Sequence, residues 1–477
     1  MARAATSLIP LIVACSLFME QLDSTIIATA LPTIARDIDV DPLRLNLAIT
    51  CYLLSLSIFI PLSGWMADRF GARTVFRAAI GVFMIGSIAC GLSNGLWEFV
   101  IARMVQGMGG AMMSPVGRFV MLRSVPKADL MRAMIVVTTP AMLGPVFGPP
   151  LGGFIVTYFS WRWIFFINVP IALLGILLVT LFVDNLREDN IRPIDWSGFF
   201  LTGIGLSCLV FGFEIVGRGG LPVSVVLTMI VVGIICILTY IWHAKRTAFP
   251  VIDLRLLEIP TFRIGVTGGT LTRMGIGSLP FLLPLMLQLG FGYTPIMSGL
   301  LTFASAAGAM SNRVAATYII RRFGYRNTLL FNAFLTSALL GINAIWRPGT
   351  PVAVIFVVLL FGGFFRSLQF SAVNTLGYSD VPASQMSRAT PFASMAQQLA
   401  ASLGIGTGAL FVHLTLILRG HTVLGPSDFT PAFIGVGLVS FLAVPIFMKL
   451  APDAGAGMIG GRRHAEEADR PGSTGGA

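Results

Sequence analysis

FMEQLDSTIIATALP, Phe18 to Pro32, places two carboxylates, Glu20 and Asp23, inside an apolar run long enough to cross a membrane. A charge at the bilayer centre costs about 3 kcal/mol on insertion scales and more in simulation, so an acid there needs a partner or a task. The spacing of three residues sets both acids on nearly the same helical face, where they can line one polar cavity. Asp23 is thereby the leading candidate for a proton-carrying group, with the rest of the chain as its scaffold.

Composition sets the class. Of 477 residues, 55% are hydrophobic and only 11% charged, and the mean hydropathy is +0.85. A soluble domain carries about 25% charged residues, so this reads as a polytopic membrane protein. The net charge of +11 would suggest nucleic acid in a soluble chain. Here basic cytoplasmic loops account for it, and no nucleic-acid partner is expected. Cys15, Cys51, Cys90, Cys208 and Cys236 lie in apolar segments without a CxxC or Cys/His cluster, so neither disulfides nor a metal site is indicated. The four histidines are scattered, and no Ser/His/Asp or phosphate-loop pattern appears. No enzyme chemistry and no cofactor is expected. The amino-terminal apolar run contains Glu20 and Asp23 and is read as a span, not a signal peptide.

A span needs about 20 apolar residues. That rule places six spans near 8–31, 46–67, 74–93, 97–118, 133–157 and 163–183, two near 196–217 and 222–243, and six near 262–288, 298–319, 327–346, 353–375, 391–416 and 430–449. The expected fold is all-α, with fourteen transmembrane helices: a six-helix bundle in 1–185, two extra spans in 186–260, a second six-helix bundle in 261–450, and a disordered tail in 451–477. One set of alternate loops holds about 21 Lys and Arg and the other about 6, which puts both termini in the cytoplasm. Trp161 and Trp163 fall where an external aromatic belt would place them.

The halves show weak internal symmetry. DRFGAR (Asp68 to Arg73) recurs as RRFGYR (Arg321 to Arg326), each after the second helix of a six-helix block, a pattern that suggests two bundles around a midplane site. Arg103-x-x-Gln106 and Arg366-x-x-Gln369 also look alike, but they differ in depth, about 9 Å against about 20 Å from the outer helix end, and are read as coincidence.

Four stretches together resemble the fourteen-helix drug:proton antiporters of the major facilitator superfamily, and the resemblance covers nearly the whole chain. LDSTIIATALP (Leu22 to Pro32) is similar to that family's first-helix signature, GWMADRFGAR (Gly64 to Arg73) to the superfamily's loop motif, RMVQGMGGA (Arg103 to Ala111) to its helix 4 motif, and GPVFGPPLGG (Gly144 to Gly153) to the antiporter motif of helix 5. RMGIGSLPFLLPLMLQ (Arg273 to Gln288) and QFSAVNTLGYSDVP (Gln369 to Pro382) look closest to a bacterial subgroup labelled multidrug transporters. The resemblance implies export, with Gly64, Asp68, Arg69, Gly71 and Arg73 forming a latch between bundles, and Gly144, Pro145, Gly148, Pro149, Gly152 and Gly153 acting in gating. In the second copy Arg321 stands where Asp68 does, so no second latch is implied.

The residues have physical readings of their own. Gly144, Gly148 and Gly152 make a smooth face for close helix approach, and Pro145, Pro149 and Pro150 remove backbone donors and would bend that helix; ordinary tight packing is the plain alternative to gating. A solvated basic loop is the plain alternative to the latch. Counting from the outer helix ends, Asp23 lies about 12 Å deep and Arg103 about 9 Å, so the two can pair. Such a pair either exchanges a proton with the transport cycle or is permanent and structural. Glu20, about 16 Å deep, reads equally as a second protonation site, a cation ligand or a neutral residue wetted by a cavity. Arg273 and Arg366 would be costly against lipid and are placed, with Gln106 and Glu20, in a substrate cavity. Three deep arginines against two acids would favour anionic or neutral solutes over permanent cations.

These readings point to a small-molecule exporter in the bacterial inner membrane, driven by protons, working by alternating access and monomeric. An exporter of organic anions such as carboxylates and a non-transporting membrane sensor are the alternatives.

Overall fold

In lipid an open chain can satisfy its backbone polar groups only as helix. The computed structural model describes residues 2–124, 130–185, 193–215, 223–382, 385–420, 424–452 and 454, and among them there are helices and no strand. The first part runs through α1 (Ala2–Asp37), α2 (Pro42–Phe59), α3 (Leu62–Phe70), α4 (Ala72–Leu92), α5 (Leu96–Ser124), α6 (Leu130–Tyr158), α7 (Trp163–Phe166) and α8 (Asn168–Phe182). Two helices follow, α9 (Trp196–Ile215) and α10 (Val223–Arg246). The last part comprises α11 (Pro260–Gly277), α12 (Leu279–Leu285), α13 (Pro295–Ile342), α14 (Val352–Gly377), α15 (Met386–Arg419), α16 (Phe429–Phe441) and α17 (Val444–Phe447). The expected tail, 451–477, lies almost wholly outside the described residues.

Ten stretches among the described residues are long and apolar enough to cross a membrane. α5, α6, α9 and the part of α13 before Tyr318 are not among them, so ten of the fourteen expected spans meet this criterion among the described residues. Several expected single spans are interrupted. The second breaks at Ile60 and Pro61 between α2 and α3. The span around 262–288 breaks at Ser278, carries Pro284 inside α12, and ends in a π turn over Met286–Gly290. Proline lacks the backbone donor that would continue the ladder, and a π turn is a local widening of the helix often found at functional positions. α6, in contrast, runs as one helix through Pro145, Pro149 and Pro150.

The DRFGAR and RRFGYR copies share a backbone feature: Gly71 has φ +88° and Gly324 has φ +75°. Glycine adopts this region at no steric cost, so both copies turn the chain sharply between two helices. At the first turn Asn185, past α8, accepts hydrogen bonds at 3.3 Å from Thr74 N and Thr74 Oγ1, tying the start of α4 to the segment after α8.

Helices α1 to α8 pack mainly on each other, as do α11 to α17. α6 lies along α1 on the face of Gly144, Gly148 and Gly152: a Cβ at Gly144 would fall 2.8 Å from Gln21 Cβ, and one at Gly152 2.7 Å from Ile26 O. The two parts of the chain meet where α6 crosses α13, α2 crosses α15, and α1 touches α12. α9 packs on α2 and α15 beside that junction, and α10 packs on α9.

The end of α1 at Asp37 defines one face of the molecule. There Asp37 accepts hydrogen bonds from Trp161 Nε1 at 2.8 Å and Arg162 Nη1 at 2.7 Å, while Arg162 Nη2 reaches Asn94 Oδ1 at 3.1 Å. Trp163 is 57% exposed, as an aromatic belt requires, but Trp161 is only 3% exposed. The expectation for Trp161 is therefore corrected: its indole packs edge-on against Phe99 and Phe165, because its N–H has a carboxylate to reach.

Candidate transport site

Asp23 and Arg103 form an ion pair of 2.6 Å, Nη1 to Oδ2, with neither side chain exposed. The depth match read from the two helices thus corresponds to direct contact between α1 and α5. Arg103 Nη1 also donates to Gln106 Oε1 at 2.6 Å, and Gln106 Nε2 donates to Asp23 Oδ1 at 2.9 Å. Gln106, expected in the substrate cavity, is fully buried in this network; its position three residues after Arg103 puts both on one helical face. Asn168, at the break between α7 and α8, donates to Asp23 Oδ1 at 3.0 Å. The carboxylate thus receives three donors, which is how a charge is kept away from water without prohibitive cost. The Arg103 guanidinium stacks over the Tyr52 ring, 4.2 Å from its centroid.

Two of these residues escaped the sequence reading. Asn168 carried a signal, a lone amide in the apolar run WRWIFFINVP. Tyr52 carried none, because its role depends on α2 crossing α5 beside Arg103.

Glu20 is 6% exposed and its Oε2 meets no hydrogen-bond donor. It lies within electrostatic reach of Asp23 and of Arg118, whose side chain is exposed toward the face where α1 begins. Tyr378, at the C-cap of α14, lies within reach of both Arg118 and Arg273. Charged and polar groups of α1, α5, α11 and α14 therefore share one region on the amino-terminal side of the Asp23 pair.

Arg273 Nη2 donates to Asn374 Oδ1 at 2.7 Å, its guanidinium sits 5.2 Å from the Phe370 ring centroid, and its Nε has no partner. It borders a small recess of about 20 Å³ lined also by Phe262, Asn374, Tyr378 and Gln397. Arg366 donates to Ser305 Oγ. Among the described residues neither arginine meets a carboxylate. The two Arg-x-x-Gln stretches prove to address corresponding helices at different depths. Arg103 stacks on α2 and Gln106 meets Cys90 of α4, whereas Arg366 meets the first part of α13 and Gln369 accepts from Asn332 of its second part at 2.8 Å.

The expected latch residues lie around the Gly71 turn, with Arg69 exposed and Asp68 and Arg73 half-buried. A Cβ at Gly64 would meet nothing within 4 Å, so packing does not explain that glycine. Gly153 differs from the other α6 glycines in facing α13: a Cβ there would fall 2.5 Å from Pro295 O.

The family model that matches, the Major Facilitator Superfamily, covers residues 13–405. The chain belongs to the Major Facilitator Superfamily. It is 37% identical over 446 residues to the "Putative multidrug resistance protein MdtD" of Pectobacterium atrosepticum, covering 93% of this chain and 95% of that protein. It is 39% identical over 409 residues to the protein of the same name from Serratia proteamaculans, covering 84% of each. Among solved structures, a D-xylose-proton symporter aligns with a TM-score of 0.67 at 16% identity, covering 94% of this chain and 98% of that one. A peptide transporter solved with sulfate aligns with a TM-score of 0.69 at 14% identity, covering 94% and 95%. At such identities the structures speak for the fold alone. Membership in this superfamily makes the chain a multi-pass membrane transporter rather than an enzyme.

Proposed function

We propose that the protein is a proton-coupled antiporter that exports small drug-like molecules across the bacterial inner membrane by alternating access, without a cofactor and as a monomer. Fourteen spans carry it, with α5, α6, α9 and the part of α13 before Tyr318 completing the ten: two six-helix bundles in 1–185 and 261–450, and an inserted pair in 186–260. Both termini are cytoplasmic, so the Asp37 face is external.

The observation that carries this reading is the Asp23–Arg103 pair, fully buried among apolar helices. Protonating Asp23 removes the charge that holds Arg103, so the two protonation states favour different helix arrangements. Glu20 stands between Arg118 and Asp23 and serves as an intermediate proton site. The glycines of α6 let α1 and α13 approach closely, and the Gly71 turn latches the bundles. Export of drugs is supported by the name carried by the 37%-identical relative. An unbiased flux screen in inverted vesicles with an imposed proton gradient tests the proposal; ligand-dependent signalling without uphill flux of any solute would overturn it.

A second reading, export of organic anions, is favoured by one observation: among the described residues Arg273 and Arg366 reach neutral partners only. A deep cation without an acid is suited to a charged ligand of the opposite sign.

A further inference from the structure

We infer that Asn168 reads the protonation state of Asp23 by turning over its amide; the inference rests on the proposed proton-carrying role of Asp23. The argument starts from the direction of each hydrogen bond. Asn168 Nδ2 is shared between Asp23 Oδ1 and Ser87 Oγ, each at 3.0 Å, and the Ser87 hydroxyl donates to Phe165 O at 2.9 Å. With its proton given to a carbonyl, Ser87 offers Asn168 only lone pairs, as does ionised Asp23. The amide nitrogen must face both, which fixes the orientation of the side chain.

A proton bound to Asp23 Oδ1 forms an O–H bond, takes the carboxylate from −1 to neutral, and turns an acceptor into a donor. Some neighbour must then accept. Arg103 cannot, having donors only. Gln106 Oε1 already takes Arg103 Nη1 at 2.6 Å and the Cys90 thiol at 3.8 Å. Asn168 Oδ1 is buried with no partner. Turning the amide by half a revolution presents Oδ1 to the new O–H and also to the Ser87 hydroxyl, which swings off Phe165 O. The titratable groups near Asp23 are Glu20 on α1, Tyr52 on α2, Cys90 on α4 and Arg103 on α5; α8 has none, and the described side chains of α6 include only Tyr158, at its Asp37 end.

The consequence reaches beyond the pair. Phe165 belongs to the single turn α7, and Trp161 and Arg162 just before it hold Asp37. The chain Asp23–Asn168–Ser87–Phe165 O thus carries the protonation state, as hydrogen-bond direction, to the break between α7 and α8 and toward the Asp37 face. Asn168 is a positioning residue in this scheme and exchanges no proton itself.

Infrared difference spectroscopy between acid and alkaline pH, on the purified full chain in lipid, tests it. Asparagine amide bands are assigned by ¹⁵N-asparagine labelling. In the unsubstituted protein one asparagine band shifts with the same pH midpoint as the Asp23 carboxyl band. Asn168→Leu removes that band, while the Asp23 carboxyl band still titrates, because the substitution takes a donor from the ionised carboxylate and an acceptor from the protonated one. An asparagine band that is static, or that titrates with a different midpoint, overturns the inference, as does a titrating asparagine band that persists in Asn168→Leu. The two readings separate in Asp23→Asn: a persisting carboxyl band there means that Asp23 is not the proton carrier, whereas loss of the carboxyl band with the asparagine shift retained means that Asp23 is and Asn168 does not follow it.

Discussion

Gln288, in the π turn at the end of α12, donates through Nε2 to the backbone oxygen of Thr29 in α1 at 2.9 Å, joining the two parts of the chain. The α6–α13 crossing lies toward the same face: Gly153 meets Pro295 and Ile296, and Gly299 meets Pro149 and Pro150. These contacts hold the molecule closed on the Asp37 side, while Arg118 is exposed toward the other. Gln288→Leu removes one buried hydrogen bond of this closure and leaves Thr29 O short of a donor, a loss of about 1 kcal/mol. An impermeant thiol reagent added on the Asp37 side, in a background lacking the five native cysteines, should label Ser24→Cys roughly fivefold faster when Gln288→Leu is present. Equal rates would show that this bond does not contribute to closure.

At the α6–α13 crossing there is no room for a side chain. Gly153→Val would place methyl groups where Pro295 O and Ile296 Cα lie 2.5 and 2.9 Å from even a Cβ, and overpacking of this kind costs about 1–3 kcal/mol. The variant should shift the population away from the closed Asp37 face, read as weaker cross-linking between cysteines placed at Leu151 and Met297. Wild-type cross-linking with full transport would refute a gating role for this glycine.

The legible part of the molecule was what a single helix determines. Depth along α1 and α5 follows from rise per residue, and that count alone brings Asp23 to the level of Arg103. The repeated RFG turns were legible because a sharp reversal between helices asks for glycine. What depends on the rotation of a helix, or on which helix crosses which, was not. Sequence reasoning puts Gln106 in a cavity although it shares the face of Arg103, gives no role to Tyr52, and puts Trp161 in a belt although the acid it binds ends another helix, 124 positions away. The interruptions at Pro61 and Ser278 mattered little to locating the site, since each leaves the direction of its span intact.

Removing either partner of the central pair should have distinct consequences. Arg103→Ala leaves Asp23 as an uncompensated buried acid, a loss of about 3–5 kcal/mol, and should lower the thermal transition of the purified protein. Asp23→Asn keeps the shape and the hydrogen bonds that an amide can make, but it cannot exchange a proton. It should retain substrate binding and lose accumulation driven by the proton gradient. Glu20→Gln should be the milder change. Unimpaired uphill export by Asp23→Asn would reject it as the obligatory carrier.

The inserted pair makes a topological prediction. The loop charge asymmetry puts reporters at Asn190 and Arg255 in the cytoplasm and one at Arg218 outside. Asn190 and Arg218 lie outside the described residues; Arg255 lies in a short 3-10 turn between α10 and α11. Finding Asn190 and Arg255 on opposite sides of the membrane would reject two spans between the bundles.

The last prediction concerns the sign of the substrate charge. Arg103 is neutralised by Asp23, so in the ionised state the deep charges left over are Arg273 and Arg366 against Glu20 alone. Arg273 borders the recess of Asn374, Tyr378 and Gln397 and keeps one guanidinium nitrogen without a partner. A carboxylate entering there gains charge-assisted hydrogen bonds, whereas a permanent cation meets repulsion that protonation of Asp23 and Glu20 would increase. Arg273→Gln preserves a donor toward Asn374 but removes the charge. It should weaken binding of an aromatic carboxylate about tenfold or more, as expected for loss of a hydrogen bond to a charged group worth about 1.5–3 kcal/mol, and should leave a quaternary-ammonium dye unchanged or bound more tightly. Competition binding on the purified transporter separates the cases: a dye that outcompetes the carboxylate, with both affinities untouched by Arg273→Gln, would show that the arginine is satisfied by its neutral neighbours and never touches substrate.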